Sequence, residues 1–302
     1  MRWIVRAGDG LTVGEILERA RADADAVSDG RVFVGRRRVR RPDEPLRPDD
    51  VVEIAAPRAA PQAPRILAQE GDLVAVDKPA GMPTIGDQSG AAHALVAATA
   101  RALGIAEARL HPTSRLDRDV SGVVLFALTG AAAERLTQAR AAGLYERRYV
   151  AIAARAPEPS KGVWDAPIGR ATDPRRRVVN GRDAAPSITR YAVCAATTGG
   201  ATLLAVAPVT GRTHQIRVHA AAAGAPLLGD RAYGGPVRMT LAAGRVLGVR
   251  RIALHAARVV VPDEQGKGLA IVSPVPGELA DLWVALGGAP EAWEAGASCA
   301  ID

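Results

Sequence analysis

The chain has 302 residues, 48% of them hydrophobic and 24% charged, values typical of a globular protein with one or two domains. The formal net charge of +7 favours a polyanionic partner without identifying it. Two cysteines exclude a disulfide framework, and five histidines without ligand spacing argue against a metal. The sequence has no signal core and no span of about 18 apolar residues, so no membrane partner is expected and the expected compartment is the cytoplasm.

Residues 1–56 are predicted to form a small separate module. Leu11, Ile16 and Leu17 have helical spacing, RVFVGRRRV predicts a hairpin that turns at Gly35, and DDVVEI predicts a closing strand. The hairpin is basic, and its candidate contacts to a polyanion are Arg36, Arg37 and Arg38. A basic hairpin can hold phosphates, or it can simply be solvated, and the sequence leaves both interpretations open.

A Pro/Ala linker is predicted over 57–65, followed by a larger domain over 66–288. The larger domain opens with an apolar strand pattern that contains Lys78, for which a structural role is favoured over a phosphate contact. An alanine-rich helix over 91–105 is predicted to stop at Gly104. The tail over 289–302 is small and polar and is expected to be disordered or loosely docked.

The stretch HPTSRLDRDVSGVVLFALT at 111–129 organises the larger domain. Its apolar run from Val123 to Leu128 predicts a buried strand, which places Asp117 on a loop at the edge of a sheet. A helix is then predicted over 130–142, ending at Gly143, before a strand that carries Tyr149. By itself, Asp117 among arginines is also compatible with a surface ion pair.

Two later segments add candidate site residues. DPRRRVVNGRD contains Arg175, Arg176 and Arg177 in a predicted loop that either lines a phosphate site or is solvated. TGRTHQIRVHAAAAGAP predicts a helix with Thr213 as N-cap and Gly224 as its stop. Its N-terminus, preceded by Arg212, is a natural anion site because of its free N–H groups and the helix dipole.

Together these stretches resemble the RluA-type family of RNA pseudouridine synthases. The resemblance covers most of the chain from about 65 to 285 in the family's order. The motifs that carry it are VDKPAGMP at 76–83, RLDRDVSG at 115–122, RRYVAI at 147–152, DAPIGR at 165–170, GRTHQIRVH at 211–219, GDRAYGG at 229–235 and LHAARV at 254–259. The resemblance implies an α+β catalytic domain with a mixed, mostly antiparallel sheet and flanking helices.

The N-terminal module resembles a small α/β RNA-binding module found in a small-subunit ribosomal protein and in several RNA-modifying enzymes. Together the two resemblances imply RNA as partner, large-subunit ribosomal or transfer RNA, with a monomeric enzyme expected. The reaction breaks the N1–C1′ bond of uridine and joins C5 to C1′, so no cofactor or metal is required.

The resemblance also implies roles for individual residues. Asp117 matches the catalytic carboxylate, which either attacks C1′ or removes a proton from C2′, and the sequence does not separate these. Arg217 matches its basic partner, Tyr149 matches the tyrosine that stacks on the base, and Arg115 matches the arginine that helps to extrude the nucleotide. The pocket is expected to be shaped by His214 and Ile216.

Two positions depart from the family pattern. Ser114 stands where the family usually has histidine, and Val120 stands where it has threonine. Both flank Asp117 without replacing it, which predicts altered loop packing or target preference rather than inactivity.

Three alternative functions are open at this point. The first is a non-catalytic RNA-binding or ribosome-assembly protein on the same fold. The second is a glycosidase that uses Asp117 with Asp119 as a carboxylate pair. The third is a DNA-binding protein, against which the sequence offers no helix-turn-helix or zinc signature.

Overall fold

The computed structural model describes residues 2–9, 12–22, 26–27, 30–35, 37–55, 64–86, 93–241, 244–299 and 301. These residues group into two compact units, one from 1–64 and 85–107 and the other from 65–84 and 108–302. Arg36 and most of the predicted linker over 57–65 lie outside the described residues. The predicted domain boundaries therefore stay a prediction. Among the described residues, the helices are too short or too polar to cross a membrane.

The first unit contains a small antiparallel sheet and two helices. Its elements are β1 (Arg2–Ile4), α1 (Val13–Arg19), β2 (Val32–Val34), β3 (Arg37–Arg38), β4 (Val51–Ile54) and α2 (Leu95–Leu103). The strand order is β1-β4-β2-β3. A capping box between Thr12 and Glu15 starts α1, and Gly35 turns the hairpin with a φ of +57°. The predicted helix, hairpin and closing strand are confirmed.

Helix α2 ends as its sequence predicts. Gly104 adopts the left-handed conformation with a φ of +65°, which costs glycine little because it has no Cβ. The N–H of Ile105 donates to the carbonyl of Ala100, which satisfies one of the last carbonyls of the helix.

The second unit is built on a ten-stranded sheet with helices packed against it. Its elements are β5 (Arg65–Glu70), β6 (Leu73–Lys78), β7 (His111–Pro112), β8 (Ser121–Ala127), α3 (Gly130–Ala141), β9 (Glu146–Ala153), β10 (Lys161–Trp164), β11 (Ile168–Arg170), β12 (Arg177–Val179), β13 (Arg182–Ala185), β14 (Thr189–Ala196), β15 (Thr202–Pro208), α4 (Gln215–Ala222), β16 (Arg238–Thr240), β17 (Val246–Gly248), β18 (Leu254–Pro262), β19 (Gly268–Val272), α5 (Gly277–Ala285) and α6 (Ala292–Ser298).

The strand order of the large sheet is β10-β14-β15-β9-β18-β8-β6-β5, with β19 beside β18 and β7 beside β8. Strands β8 and β18 pair in parallel and the other neighbours are antiparallel. The sheet is therefore mixed and mostly antiparallel, as predicted. Strand β8 is buried along its whole length, which explains its continuous apolar sequence.

Gly122 is required where β8 begins. Its φ is +118°, and a Cβ at this position would run into the backbone of Ala256 on β18. The two strands approach closely at this pair, and the close approach aligns the end of the Asp117 loop with the centre of the sheet.

The C-terminal residues do not form a loose tail. Helix α6 buries Trp293, which is 3% exposed and packs with Val150, Leu203 and Trp283. The carbonyl of Cys299 also accepts a hydrogen bond from the Arg148 guanidinium at 3.1 Å. The prediction of a disordered or loosely docked tail is wrong, because two tryptophans here cover apolar sheet side chains.

A small three-stranded sheet, β12-β11-β13, stands apart from the large one. It packs on α4 through Ile168, Val218 and Tyr233. The segment predicted as an arginine-rich loop is therefore partly a hairpin, with Arg177 at the start of β12.

Candidate active site

The Asp117 loop is fixed to the sheet by buried polar contacts. The Thr84 hydroxyl donates to the carbonyl of Leu116 at 3.0 Å and accepts from its N–H at 3.1 Å. The N–H of Val120 donates to the carbonyl of Asp117 at 3.1 Å, which closes a tight turn. These bonds leave the backbone around the carboxylate little freedom.

Lys78 also holds the Asp117 loop in place. Its fully buried Nζ donates to the carbonyls of Met82 at 2.7 Å, Pro79 at 3.0 Å and Arg118 at 3.0 Å. Burial lowers the pKa of Lys78 to about 7. The structural role predicted for Lys78 is confirmed, since all three donors of its ammonium group are used inside the protein.

The helix that carries Arg217 begins differently from the prediction. Its first residue is Gln215, and His214 occupies the N-cap position with a φ of +59°, a conformation that costs a non-glycine residue on the order of 1 kcal/mol. The Gln215 side-chain oxygen accepts from the N–H of Arg212 and the hydroxyl of Thr210, both at 2.8 Å. The prediction of Thr213 as N-cap is wrong, because the long Gln215 amide ties the preceding turn together instead.

The C-terminus of the same helix follows its sequence. Gly224 has a φ of +74°, and the N–H of Ala225 donates to the carbonyl of Ala220. The predicted stop is confirmed. The N–H of Arg212, at the predicted anion site, is already bonded to Gln215.

Asp117, Arg217 and Asp230 form what we term the acid cluster. Arg217 Nη1 donates to Asp117 Oδ2 at 2.7 Å, and its Nε and Nη2 donate to the two oxygens of Asp230 at 2.7 and 2.9 Å. The side chain of Arg217 is 8% exposed, that of Asp230 is 1% exposed and that of Asp117 is 26% exposed. Asp117 is thus the member of the cluster that a ligand can reach.

Electrostatics keep the guanidinium charged. Burial alone lowers the pKa of Arg217, but the hydrogen bonds and charges of Asp230 and Asp117 outweigh burial and raise it above its ordinary range. Among the described residues, the carboxylate of Asp117 accepts a hydrogen bond at Oδ2 only. Oδ1 is therefore available to a substrate.

His214 lies between Asp117 and Tyr233. Its Nε2 is 3.8 Å from Asp117 Oδ2, and its Nδ1 is 2.7 Å from the Tyr233 hydroxyl. That hydroxyl also accepts from the N–H of Arg177 at 2.9 Å. Burial lowers the pKa of His214, which favours a neutral ring.

Tyr149 lies on β9 and points into the protein. It is 8% exposed, and burial raises the pKa of its phenol. It pairs with Ala256 on β18, which in turn pairs with Gly122 on β8. The sheet register therefore brings Tyr149 to the region where the Asp117 loop enters β8.

The other predicted site residues differ in exposure. Arg115 is exposed beside buried Leu116, and Ile216 is buried in α4. Arg212 is exposed and donates through Nε to the carbonyl of Pro186 at 3.1 Å. Of these three residues, Arg115 and Arg212 have side chains that a polyanion can reach.

The arginines of the small sheet lie on the Tyr233 side of the site. The Arg176 guanidinium lies 5.5 Å from the centre of the Tyr233 ring, and Arg175 is exposed. Arg177 Nη1 donates to the carbonyls of Pro174 and Arg176, both at 2.9 Å. Tyr233 joins this hairpin to His214, and so the hairpin abuts the acid cluster.

The arginines of the N-terminal hairpin have partners within their own unit. Arg37 forms an ion pair with Glu44, and the Arg38 guanidinium lies 5.4 Å from the centre of the Phe33 ring. Three hydrogen bonds from Arg37, Arg40 and Arg41 converge on Glu44 and lower its pKa to about 2. Part of the basic charge of the hairpin is therefore neutralised locally.

Sequence reasoning missed Asp230 and Tyr233 as site residues. Both belong to GDRAYGG, which the resemblance contained but to which it gave no role. An acid flanked by glycines would have been the signal, since such turns bring a side chain close to another backbone. Also missed were Ser121, Arg251 and His255, which form a second buried polar cluster.

The site combines a reachable carboxylate oxygen, a buried arginine that holds the other oxygen, and a buried tyrosine. Such a carboxylate can act as a nucleophile or a general base. Among the described residues, no group of three or more His, Cys, Asp or Glu side chains is arranged to hold a metal ion.

Comparison with known proteins identifies the family. Residues 72–222 match the family model described as RNA pseudouridylate synthase. An uncharacterized RNA pseudouridine synthase of Zymomonas mobilis is 30% identical over 225 residues, which cover 73% of this chain and 97% of that protein. A ribosomal large subunit pseudouridine synthase D of Nitrosomonas europaea is 34% identical over 231 residues, covering 75% of this chain and 66% of that protein.

A solved structure agrees with the sequence matches. Human RNA Pseudouridylate Synthase Domain Containing 4 has a TM-score of 0.57 and 27% identity, covering 74% of this chain and 92% of that one. The predicted fold class and the predicted reaction class are thereby confirmed. This chain belongs to the RNA pseudouridylate synthase family, as an RluA-type enzyme that isomerises uridine in RNA.

Proposed function

We propose that Asp117 is the catalytic carboxylate and that the target is a specific uridine in folded large-subunit ribosomal RNA. The observation that carries the first part is the acid cluster, in which buried Arg217 holds Oδ2 of Asp117 and Oδ1 stays available. The second part is supported by relatives whose names specify the ribosomal large subunit, including one from Xanthomonas campestris that is 31% identical over 265 residues.

The isomerisation of uridine requires few groups besides this carboxylate. Asp117 Oδ1 either attacks C1′ of the ribose, which breaks the C1′–N1 bond and releases the base, or removes the C2′ proton as the C1′–N1 bond breaks. The base then turns and C5 bonds to C1′; on the first route the C1′–Oδ1 bond breaks at this step, and on the second the proton returns to C2′. The proton on C5 is lost and N1 takes up one proton. Atoms and electrons balance because a C–N bond is exchanged for a C–C bond within one nucleotide.

The neighbouring residues receive roles that match their positions. Arg217 orients Asp117 through the hydrogen bond from Nη1 to Oδ2. Tyr149 stacks on the detached base, and its phenol lies in a buried position from which it assists loss of the C5 proton. Exposed Arg115 fills the space left when the nucleotide is extruded, which costs a few kcal/mol.

Arginines around the site supply phosphate contacts that offset the free-energy cost of extruding the nucleotide. Exposed Arg175 and Arg212 flank α4 and the small sheet. The N-terminal unit adds a weaker contact, as in the small RNA-binding module that it resembles, since Arg37 is 59% exposed although paired with Glu44. RNA affinity should therefore fall steeply as the salt concentration rises. Arg175→Gln and Arg212→Gln each remove one positive charge and should make this dependence of affinity on salt less steep.

Release of tritium from RNA labelled at uridine C5 tests the role of Asp117. Asp117→Asn should release none above background, while Asp119→Asn should behave like the parent because Asp119 is exposed and two residues away. Equal activity of Asp117→Asn and the parent would refute the proposal. An inactive parent on all RNA would favour the non-catalytic alternative, and free uracil in the product would favour a glycosidase.

Mapping of pseudouridines in cells with and without the gene tests the target. We expect one or a few sites to disappear from large-subunit ribosomal RNA, and complementation with Asp117→Asn should not restore them. Sites lost only from transfer RNA would contradict the ribosomal assignment while leaving the reaction intact.

A further inference from the structure

Asp230 is held beneath Arg217 by a tight glycine turn. Gly229 has a φ of +79°, and a side chain there would run into the backbone of Arg251. A side chain at Gly235 would run into the backbone of Leu227, and the N–H of Gly235 donates to the Asp230 carbonyl at 2.8 Å. The two glycines therefore allow the chain to double back and present Asp230 to the protein interior.

The Arg217 guanidinium is fixed along one edge and over one face. Its Nε and Nη2 edge is bound by both oxygens of Asp230, a bidentate contact that opposes rotation about the side-chain axis. The ring of Tyr233 covers one face, with its centre 4.9 Å from the guanidinium carbon. Nη1 is the donor left for Asp117.

This geometry has a consequence for Asp117. An arginine without another carboxylate would turn its planar fork to Asp117 and bind both of its oxygens. The Asp230 contact holds the guanidinium in one orientation, and in that orientation Asp117 is bound through Oδ2 alone.

We infer that Asp230, supported by the Tyr233 ring, is a positioning residue that restricts Arg217 to one hydrogen bond with Asp117 and so keeps Oδ1 free for the uridine. The inference rests on the proposed catalytic role of Asp117. Asp230 itself is buried and does not contact the RNA.

Steady-state kinetics of Asp230→Asn test the inference. The amide preserves the shape but loses one negative charge and one acceptor oxygen. We expect kcat to fall about 100-fold through misplacement of the reacting carboxylate, while KM stays within about twofold. Glu278→Gln is the matched control, since it removes a carboxylate from Arg251 and should leave kcat unchanged.

A double-mutant cycle separates positioning from general structural damage. Lysine has no fork, so in an Arg217→Lys background the further change Asp230→Asn should cost less than about threefold in kcat. Independent, multiplicative losses would overturn the inference, as would a kcat of Asp230→Asn within threefold of the parent. If Asp230→Asn does not fold, Tyr233→Leu replaces it, with an expected tenfold loss in kcat at constant KM and parent-like kcat as the refuting result.

Failure of the inference about Asp230 can be distinguished from failure of the proposed role of Asp117. If Asp117→Asn retains activity, the assignment of Asp117 fails whatever Asp230 does. If Asp117→Asn is inactive and Asp230→Asn matches the parent, the positioning role alone is wrong.

Discussion

Two buried polar clusters lie at the two ends of the segment from Asp117 to Ser121, and they differ in one respect. The acid cluster leaves one oxygen of Asp117 without a hydrogen bond among the described residues. The second, which we term the serine–histidine cluster, consists of Asp77, Ser121, Arg251, His255 and Ser273.

The serine–histidine cluster is closed around His255. The Ser273 carbonyl can only accept, so His255 Nε2 carries the proton and Nδ1 accepts from the Ser121 hydroxyl at 2.9 Å. Arg251 donates to the Ser121 hydroxyl at 2.7 Å, and the Ser273 hydroxyl donates to Asp77 at 2.8 Å. A closed cluster stabilises its surroundings, whereas the open oxygen of the acid cluster can react with a ligand.

The largest effect is expected from Arg217→Met in the acid cluster. This change leaves the Asp230 carboxylate buried without a cation, which should lower the free energy of unfolding by about 3–5 kcal/mol and abolish turnover. Urea unfolding followed by circular dichroism measures the loss. Glu278→Gln, at the half-exposed partner of Arg251, should cost less than about 1 kcal/mol. Similar losses in both variants would contradict the distinction between the clusters.

Lys78→Met should produce the next largest loss of stability, because Lys78 supports the Asp117 loop between the two clusters. Three carbonyls lose a hydrogen bond from Nζ, and of these the Arg118 carbonyl, beside Asp117, keeps the N–H of Gly81 as a donor. We expect a decrease of about 3 kcal/mol in the free energy of unfolding. Lys267→Met is the control because Lys267 is exposed. A Lys78→Met protein as stable as this control would show that the three bonds contribute nothing.

The pH dependence of stability should reveal the closed cluster. Burial lowers the pKa of His255 to about 4, below its unfolded value of about 6.5. The unfolded state therefore binds more protons between these values, and stability is lost as the pH falls from about 6.5 to 4, by about 3 kcal/mol. His255→Asn, which can keep both hydrogen bonds, should lack this part of the slope. Identical slopes in thermal or urea unfolding would refute the assignment.

The smallest effect is expected from restoring the family residues around Asp117. Val120 is buried and Ser114 is half-buried, and neither side chain takes part in the hydrogen bonds of the acid cluster, although the N–H of Val120 donates to the backbone carbonyl of Asp117. Ser114→His and Val120→Thr should change turnover by less than about tenfold and alter preference among RNA substrates. An inactive parent that either substitution revives would overturn this prediction.

Local features of the fold could be predicted from the sequence. The apolar run of β8, the glycine stops after α2, α3 and α4, and the hairpin at Gly35 depend on residues within a few positions of one another. These patterns reflect backbone φ limits and side-chain periodicity, which act over short stretches of chain. The family resemblance, rather than a local pattern, paired Asp117 with Arg217, and a hydrogen bond of 2.7 Å joins them.

Long-range contacts decided the rest. Gln215 displaced Thr213 as the residue that organises the start of α4, because its amide could reach the turn before the helix. The predicted loose tail is instead a packed helix, because Trp293 covers apolar side chains of β9 and β15. The sequence by itself singled out Asp117 and Arg217, which a hydrogen bond joins in the folded chain. Tertiary structure alone decided that Asp230 shares the arginine, since that bond joins side chains that meet only after the chain has folded back on itself.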